Sequence, residues 1–289
     1  MVEAPASPVH WTLEVGEEVS EADYASHRAS AGLLDEVLTN SAFARFQEAY
    51  FAFKEAVAKA SEVSADKRPT VETYTAIRRT FDDLLTALRR FDDRTSHALS
   101  SRYGKDSAEF KNFKQALSLE FKTSFAYRFC YHLRNYSDHR GSSISNIRQS
   151  SSITPGGTPS QEFNVILDAR TLLNNYDKWH SQVRKDLIQI DGEFSALSVA
   201  EELYQACGRA HCKNLLSQEA GITEACAKIR SIADRHRTQN ENASPIFIRT
   251  NARDLANGKL EPFNVSPIRI ELLDVVTAAL REAHQVAQP

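Results

Sequence analysis

Glycine is scarce, with 10 in 289 residues, and no proline occurs between Pro69 and Pro155. A chain so poor in turn formers is not a turn-rich β protein, and the long proline-free stretch lets helices run uninterrupted. Cysteine is also sparse. Cys130, Cys207, Cys212 and Cys226 make no C-x-x-C pair, and a chain of this length buries a core without disulfide staples. They are expected to be buried free thiols in a reducing compartment. His211 beside Cys212 suggests a metal ligand, but no second matching pair accompanies it, so no zinc is expected. No run of about 18 apolar residues is present, and Met1 to Val15 has neither a basic start nor an apolar middle. Membrane span and signal peptide are therefore not expected, and the location expected is cytoplasmic. The net charge of −3 gives no bulk attraction to nucleic acid, so any such partner must be held by a local patch. H-E-x-x-H and a nucleophile elbow are missing, and Gly156-Gly157 lacks the flanking strand and helix of a phosphate loop. No cofactor is expected.

Helical periodicity, by contrast, is plentiful. Tyr74, Ile77, Phe81, Leu84, Leu88 and Phe91 step by three and four residues, the spacing of one buried helix face. Pro69-Thr70-Val71-Glu72 supplies a start signal and Tyr103-Gly104 a stop. Upstream, Leu33, Leu34, Val37 and Leu38 form one apolar cluster and Phe43, Phe46, Tyr50, Phe53 and Val57 another, with a break at Asn40-Ser41. Downstream, Phe110, Phe113, Leu117, Phe121, Phe125 and Phe129 mark one more long helix. Short connections between long helices predict an antiparallel all-α bundle. Residues 1–19, around Trp11 and Leu13, read as an arm or short strand.

The chain divides into three segments. Residues 1–139 form an N-terminal helical bundle. Residues 140–161 are polar and rich in Ser, Gly and Pro, either a flexible linker or a loop folded over a site. Residues 162–289 form a C-terminal helical part packed on the first. Within it, Phe163–Leu167 and Ser244–Arg249 read as short strands, and helical pattern covers Ser195–Ser217 and Thr223–Arg237. Ser266-Pro267 reads as the opening of a last helix.

The third long helix ends in Phe129-Cys130-Tyr131-His132-Leu133-Arg134-Asn135-Tyr136-Ser137-Asp138-His139-Arg140-Gly141. Arg-x4-His spacing alone is uninformative, since about 0.7 such pairs arise by chance in this composition. Requiring Asn after the Arg lowers that to roughly 0.03. Asn135 and His139, four apart, share a helix face, so the amide can orient the imidazole. Arg134 and His139, five apart, lie about 140° round and about 7.5 Å along a continuous helix. They meet at one phosphate only if the helix loosens before His139 or a second subunit completes the site. Two plainer accounts stand beside this. Arg134 and Asp138 fit a surface ion pair. His139 fits a packing histidine near the Phe125/Phe129/His132 stripe, or one placed where the helix dipole favours a cation.

Arg134-Asn135-x-x-x-His139 at a helix end resembles the signature of the HEPN superfamily, all-helical domains many of which are ribonucleases. The resemblance covers about residues 70–145. It implies a HEPN-like bundle and a metal-independent RNA endonuclease, of the toxin or phage-defence sort. It further implies a homodimer in which two motifs meet, and a cognate antitoxin or nucleotidyltransferase partner. His139 would be the base or acid, Arg134 the phosphate clamp and Asn135 the orienting group. Arg140 would add an RNA contact, and Tyr131 or Tyr136 would stack a base. The alternative is a non-catalytic helical protein binding a nucleotide, RNA or a partner protein at the same bundle end. A small-molecule enzyme with a pocket between the two halves is a third reading. The basic run Lys228, Arg230, Arg235, His236 and Arg237 can follow a phosphate backbone or form a solvated face. Asp82-Asp83 and Asp92-Asp93 lie on different helix faces and are not expected to converge on a metal.

Overall fold

A computed structural model describes residues 19–38, 41–61, 70–153, 159–235, 246–249 and 264–287. The arm around Trp11 and Leu13, Gly156-Gly157, and His236 with Arg237 lie outside them. The architecture is all-α, a helical bundle with short strands. The chain divides into two compact units. The larger draws on Glu36–Ala220 and Thr277–Pro289, the smaller on Met1–Asp35 and Gly221–Val276.

The larger unit starts from α1 (Glu21–Val37), whose last residues belong to it, and α2 (Ala42–Ser61). The expected break between them is seen at Ser41, whose Oγ accepts the Ala44 amide at 3.0 Å. α3 (Val71–Tyr103) begins at the Thr70 cap and ends at Gly104, whose φ of 89° favours glycine. Its predicted stripe is the buried one: Ile77, Phe81, Leu84, Leu88 and Phe91 are fully covered, each stabilising the fold by about 1.5–3 kcal/mol. The single long helix expected next is two. α4 (Ala108–Thr123) and α5 (Phe125–Arg140) are separated by Ser124, which ends one and caps the other. Ser124 Oγ accepts the Tyr127 amide at 3.1 Å and donates to Glu202 at 2.8 Å, so a carboxylate distant in sequence fixes the break.

The polar stretch 140–161 differs from the loop or linker expected there. It carries β1 (Asn146–Ile153) and opens β2 (Pro159–Asp168), paired antiparallel from Asn146↔Ile166 to Ile153↔Pro159. β2 supplies the apolar side, with Phe163, Val165 and Leu167 buried. The Ser-rich β1 needs only that partner to become a strand, because β structure depends more on context than on propensity. β3 (Glu193–Ser195) completes a sheet of order β1-β2-β3. Between them lie α6 (Ala169–Asn175) and α7 (Ser181–Ile190). α8 (Ala196–Ser217) packs against α2, α4, α5 and β2. One core runs without interruption from Phe46 to Ala210. The boundary expected at 140–161 is thus crossed by a single hydrophobic core, and residues 162–220 complete the bundle of residues 36–139.

The smaller unit holds α9 (Glu219–Arg235), apart from its first two residues, and the hairpin of β4 (Ile246–Arg249) and β5 (Asn264–Pro267). It also takes most of α1 and the start of α10 (Glu271–Ala287). The last helix therefore starts at Glu271, and Pro267 ends a strand instead of opening a helix. Phe247 receives the ring edges of Tyr24 and His27 at 5.3 and 4.8 Å. Arg235 and Arg269 pair with Asp23 and Asp35 at 3.3 and 3.0 Å.

Candidate functional site

α5 is anchored along most of its length. Ala126, Tyr127, Phe129, Cys130, Leu133 and Tyr136 are buried, the face a helix shows when neighbours cover it on two sides. Arg128 passes through that packing and donates Nε–H to Asp186 of α7 at 2.6 Å, both side chains being almost covered. Tyr131 accepts from Arg89 of α3, whose guanidinium lies 5.0 Å from the ring centre. His132 stacks on His180 with ring centres 5.3 Å apart, and both take an edge contact from Phe121. Burial and the neighbouring His180 push the His132 imidazole below its ordinary value. Tyr136 stacks on Trp179 at 5.9 Å. Both tyrosines offered as base-stacking groups are thus committed to the core or its edge.

Beyond Leu133 the helix carries the motif out of the packing. Arg134 is half-buried, while Asn135 and His139 are exposed. The packing-histidine account of His139 is thereby excluded. Helical geometry continues to Arg140 and is closed by the Gly141 amide bonding to the Ser137 carbonyl at 3.1 Å, with φ of 90° at Gly141. The helix therefore does not loosen before His139. Asn135 and His139 share one exposed face. Arg134 stands about 140° away from His139, on another face. One chain by itself does not bring these two groups to a common phosphate. The backbone of Arg140 belongs to α5, and its side chain lies outside the described atoms, as does that of Asp138.

The segment leading from the motif into β1 is tied down. Ser143 and Ile144 are buried. Ser145 then clamps the base of the hairpin, donating its amide to the Ile166 carbonyl at 2.9 Å and accepting the Asp168 amide at 3.1 Å. His139 is six residues from that clamp.

The other candidates resolve as structural groups. Lys228 pairs with Glu224 at 2.7 Å and Arg235 with Asp23, so two cations of the basic run are neutralised locally. Asp92 is buried and holds Lys114 at 2.7 Å and Ser96 at 3.0 Å, while Asp93 pairs with Arg89 at 3.2 Å. The four thiols are unpaired, and burial pushes each upward. No cluster of three metal-ligating side chains occurs among the described residues, and no helix among them is long and apolar enough to cross a membrane.

A pocket of about 180 Å³ lies at the ends of α1 and α3 and along α8, with Arg94, Arg102, His211, Asn214 and Gln218 on its walls. Nothing in the sequence points to it. Its residues come from four separate stretches, and only His211 stands out in the sequence, as a metal ligand. Compared with known proteins, the chain matches no family model, no curated protein and no solved structure.

Proposed function

We propose that this chain is a metal-independent RNA endonuclease of HEPN type, working as a homodimer whose composite site joins Arg134 of one copy to His139 of the other. The observation that carries the reading is the exposure of Asn135 and His139 on one face of the last two turns of α5, with Arg134 half-buried on another face. An exposed imidazole at a helix end can be reached by a substrate hydroxyl, and histidine is the side chain most often used for proton transfer. In the reaction, His139 takes the proton of a ribose 2′-hydroxyl as its oxygen attacks phosphorus. The bond from phosphorus to the 5′-oxygen breaks, and His139 returns the proton to that oxygen. The products are a 2′,3′-cyclic phosphate and a free 5′-hydroxyl. Arg134 holds the phosphate oxygens as charge builds on them, its planar fork matching their geometry. Asn135 orients the imidazole from the same face. Arg140 adds a contact to the RNA backbone. A toxin or phage-defence role, with a cognate antitoxin or nucleotidyltransferase, belongs to the same reading.

The test is cleavage of single-stranded and structured RNA by purified protein in EDTA. Wild type is expected to cut, and His139→Ala to lose at least about 100-fold in rate, the lower range for removing a general acid–base. Because His139 is exposed, the variant is expected to keep the wild-type melting temperature. Equal cleavage by both proteins would reject the reading. RNA binding without turnover by either protein would favour a non-catalytic binding role for the same helix end.

A further inference from the structure

The pocket at the ends of α1 and α3 is chemically divided. Val37, Ala42, Phe43, Ala98 and Leu99 form an apolar side. Ser41, Thr95, Asn214 and Gln218 supply polar groups. Part of the polar wall is already used internally. Gln218 donates to the Asn214 side chain at 3.1 Å and accepts from Tyr103 at 3.3 Å. Arg102 is paired with Glu36.

Two lining groups are not used. Arg94 makes no ion pair among the described residues. His211 lies flat on Phe43, ring centres 4.3 Å apart and planes 13° apart, and neither of its nitrogens is hydrogen-bonded among the described residues. Phe43 covers one ring face, and His211 is among the residues lining the cavity. Burial pushes this imidazole down to about 4, so at neutral pH it offers one N–H donor and one acceptor without charge. The charges sum to one: Arg102 cancels Glu36, leaving the Arg94 guanidinium. A concave pocket with an apolar wall and a few convergent polar groups is the form small-molecule sites take.

We propose that this pocket binds a small monocarboxylate with an apolar or aromatic body, the carboxylate on Arg94, the body against Phe43, Ala98 and Leu99, and a hydrogen bond at the His211 edge. One uncompensated cation matches one carboxylate. A phosphate dianion would leave excess negative charge beside Glu36, and a neutral ligand would leave Arg94 unmatched. The site is separate from the α5 motif and does not depend on the RNA-cleaving reading.

The test is titration calorimetry of the full chain with benzoate. Inorganic phosphate provides the charge without the body, and benzyl alcohol the body without the charge. Benzoate is expected to bind with a Kd on the order of 1 mM, as suits a fragment of this size. Phosphate and benzyl alcohol are each expected to bind at least about tenfold more weakly. Arg94→Gln, on an exposed residue, is expected to weaken benzoate about tenfold or more, and His211→Phe, which keeps the stack on Phe43, to weaken it as well. Lack of benzoate binding would overturn the proposal. So would equal affinity for Arg94→Gln and wild type, or phosphate binding as tightly as benzoate. Melting temperatures of both variants near wild type would establish that any loss is local.

Discussion

A histidine whose charged form is disfavoured by burial makes stability depend on pH in a direction set by the shift. Burial lowers His211 from 6.5 to about 4. Between those values the unfolded chain binds a proton that the folded chain does not. Stability therefore rises with pH through that window and is lost as pH falls through it, by up to about 3 kcal/mol for this one group. His27 and His132 are lowered by burial too and act in the same direction. His211→Phe removes one of the three. In urea titrations at a series of pH values it is expected to flatten the slope between about pH 6.5 and pH 4 relative to wild type; an unchanged slope would place the acid sensitivity elsewhere. At this scale the sequence is partly legible. Arg134, Asn135 and His139 stand out because their spacing is rare and a helix ends there. The pocket residues do not, because Arg94 of α3 and His211 and Gln218 of α8 and its cap, distant in sequence, line one cavity only in the folded chain.

Elements are legible where one helix face carries the signal and less so where a distant partner decides. α3 can be read from Tyr74 to Gly104 because its buried stripe, Thr70 cap and glycine stop all agree. The break at Ser124 is hidden, since Phe121, Phe125 and Phe129 keep helical spacing across it and the group that fixes it, Glu202, lies on α8. The β1–β2 hairpin is hidden for a related reason: Ser150, Ser151 and Ser152 carry no alternation, and the apolar half of the ladder belongs to β2. Between elements, the Arg128–Asp186 pair joining α5 to α7 is equally invisible. Its side chains are 10% and 12% exposed, so removing one partner strands a charge out of water. Asp186→Ala is expected to cost about 3–5 kcal/mol. Arg170→Ala breaks a pair that is 68% and 64% exposed and is expected to leave the urea midpoint close to that of wild type. Urea denaturation of both variants separates the two cases, and similar losses would show that Arg128 finds another partner or reaches water.

At the scale of the whole molecule, the division of the chain is the least legible property. A polar stretch looks like a boundary, yet the core passes straight across it, and the smaller unit is assembled from both ends of the sequence. The same scale decides the proposed function. Because α5 stays helical to Arg140, Arg134 and His139 of one copy face different directions, and the proposed RNA-cleaving site would need a second copy. A two-fold dimer then contains two composite sites, each taking Arg134 from one subunit and His139 from the other. Arg134→Ala and His139→Ala homodimers have no intact site and are expected to be inactive. Mixed and allowed to exchange, half of the dimers become heterodimers. In each of these, one site loses both groups and the other keeps both. Activity should therefore return to about a quarter of the wild-type value per protomer. Light scattering of the mixture should give a dimer throughout. A dimer that stays inactive after exchange would mean that arginine and histidine do not complete each other across subunits. A monomer that cuts RNA would remove the need for a second copy and require Arg134 to act from its own face of α5.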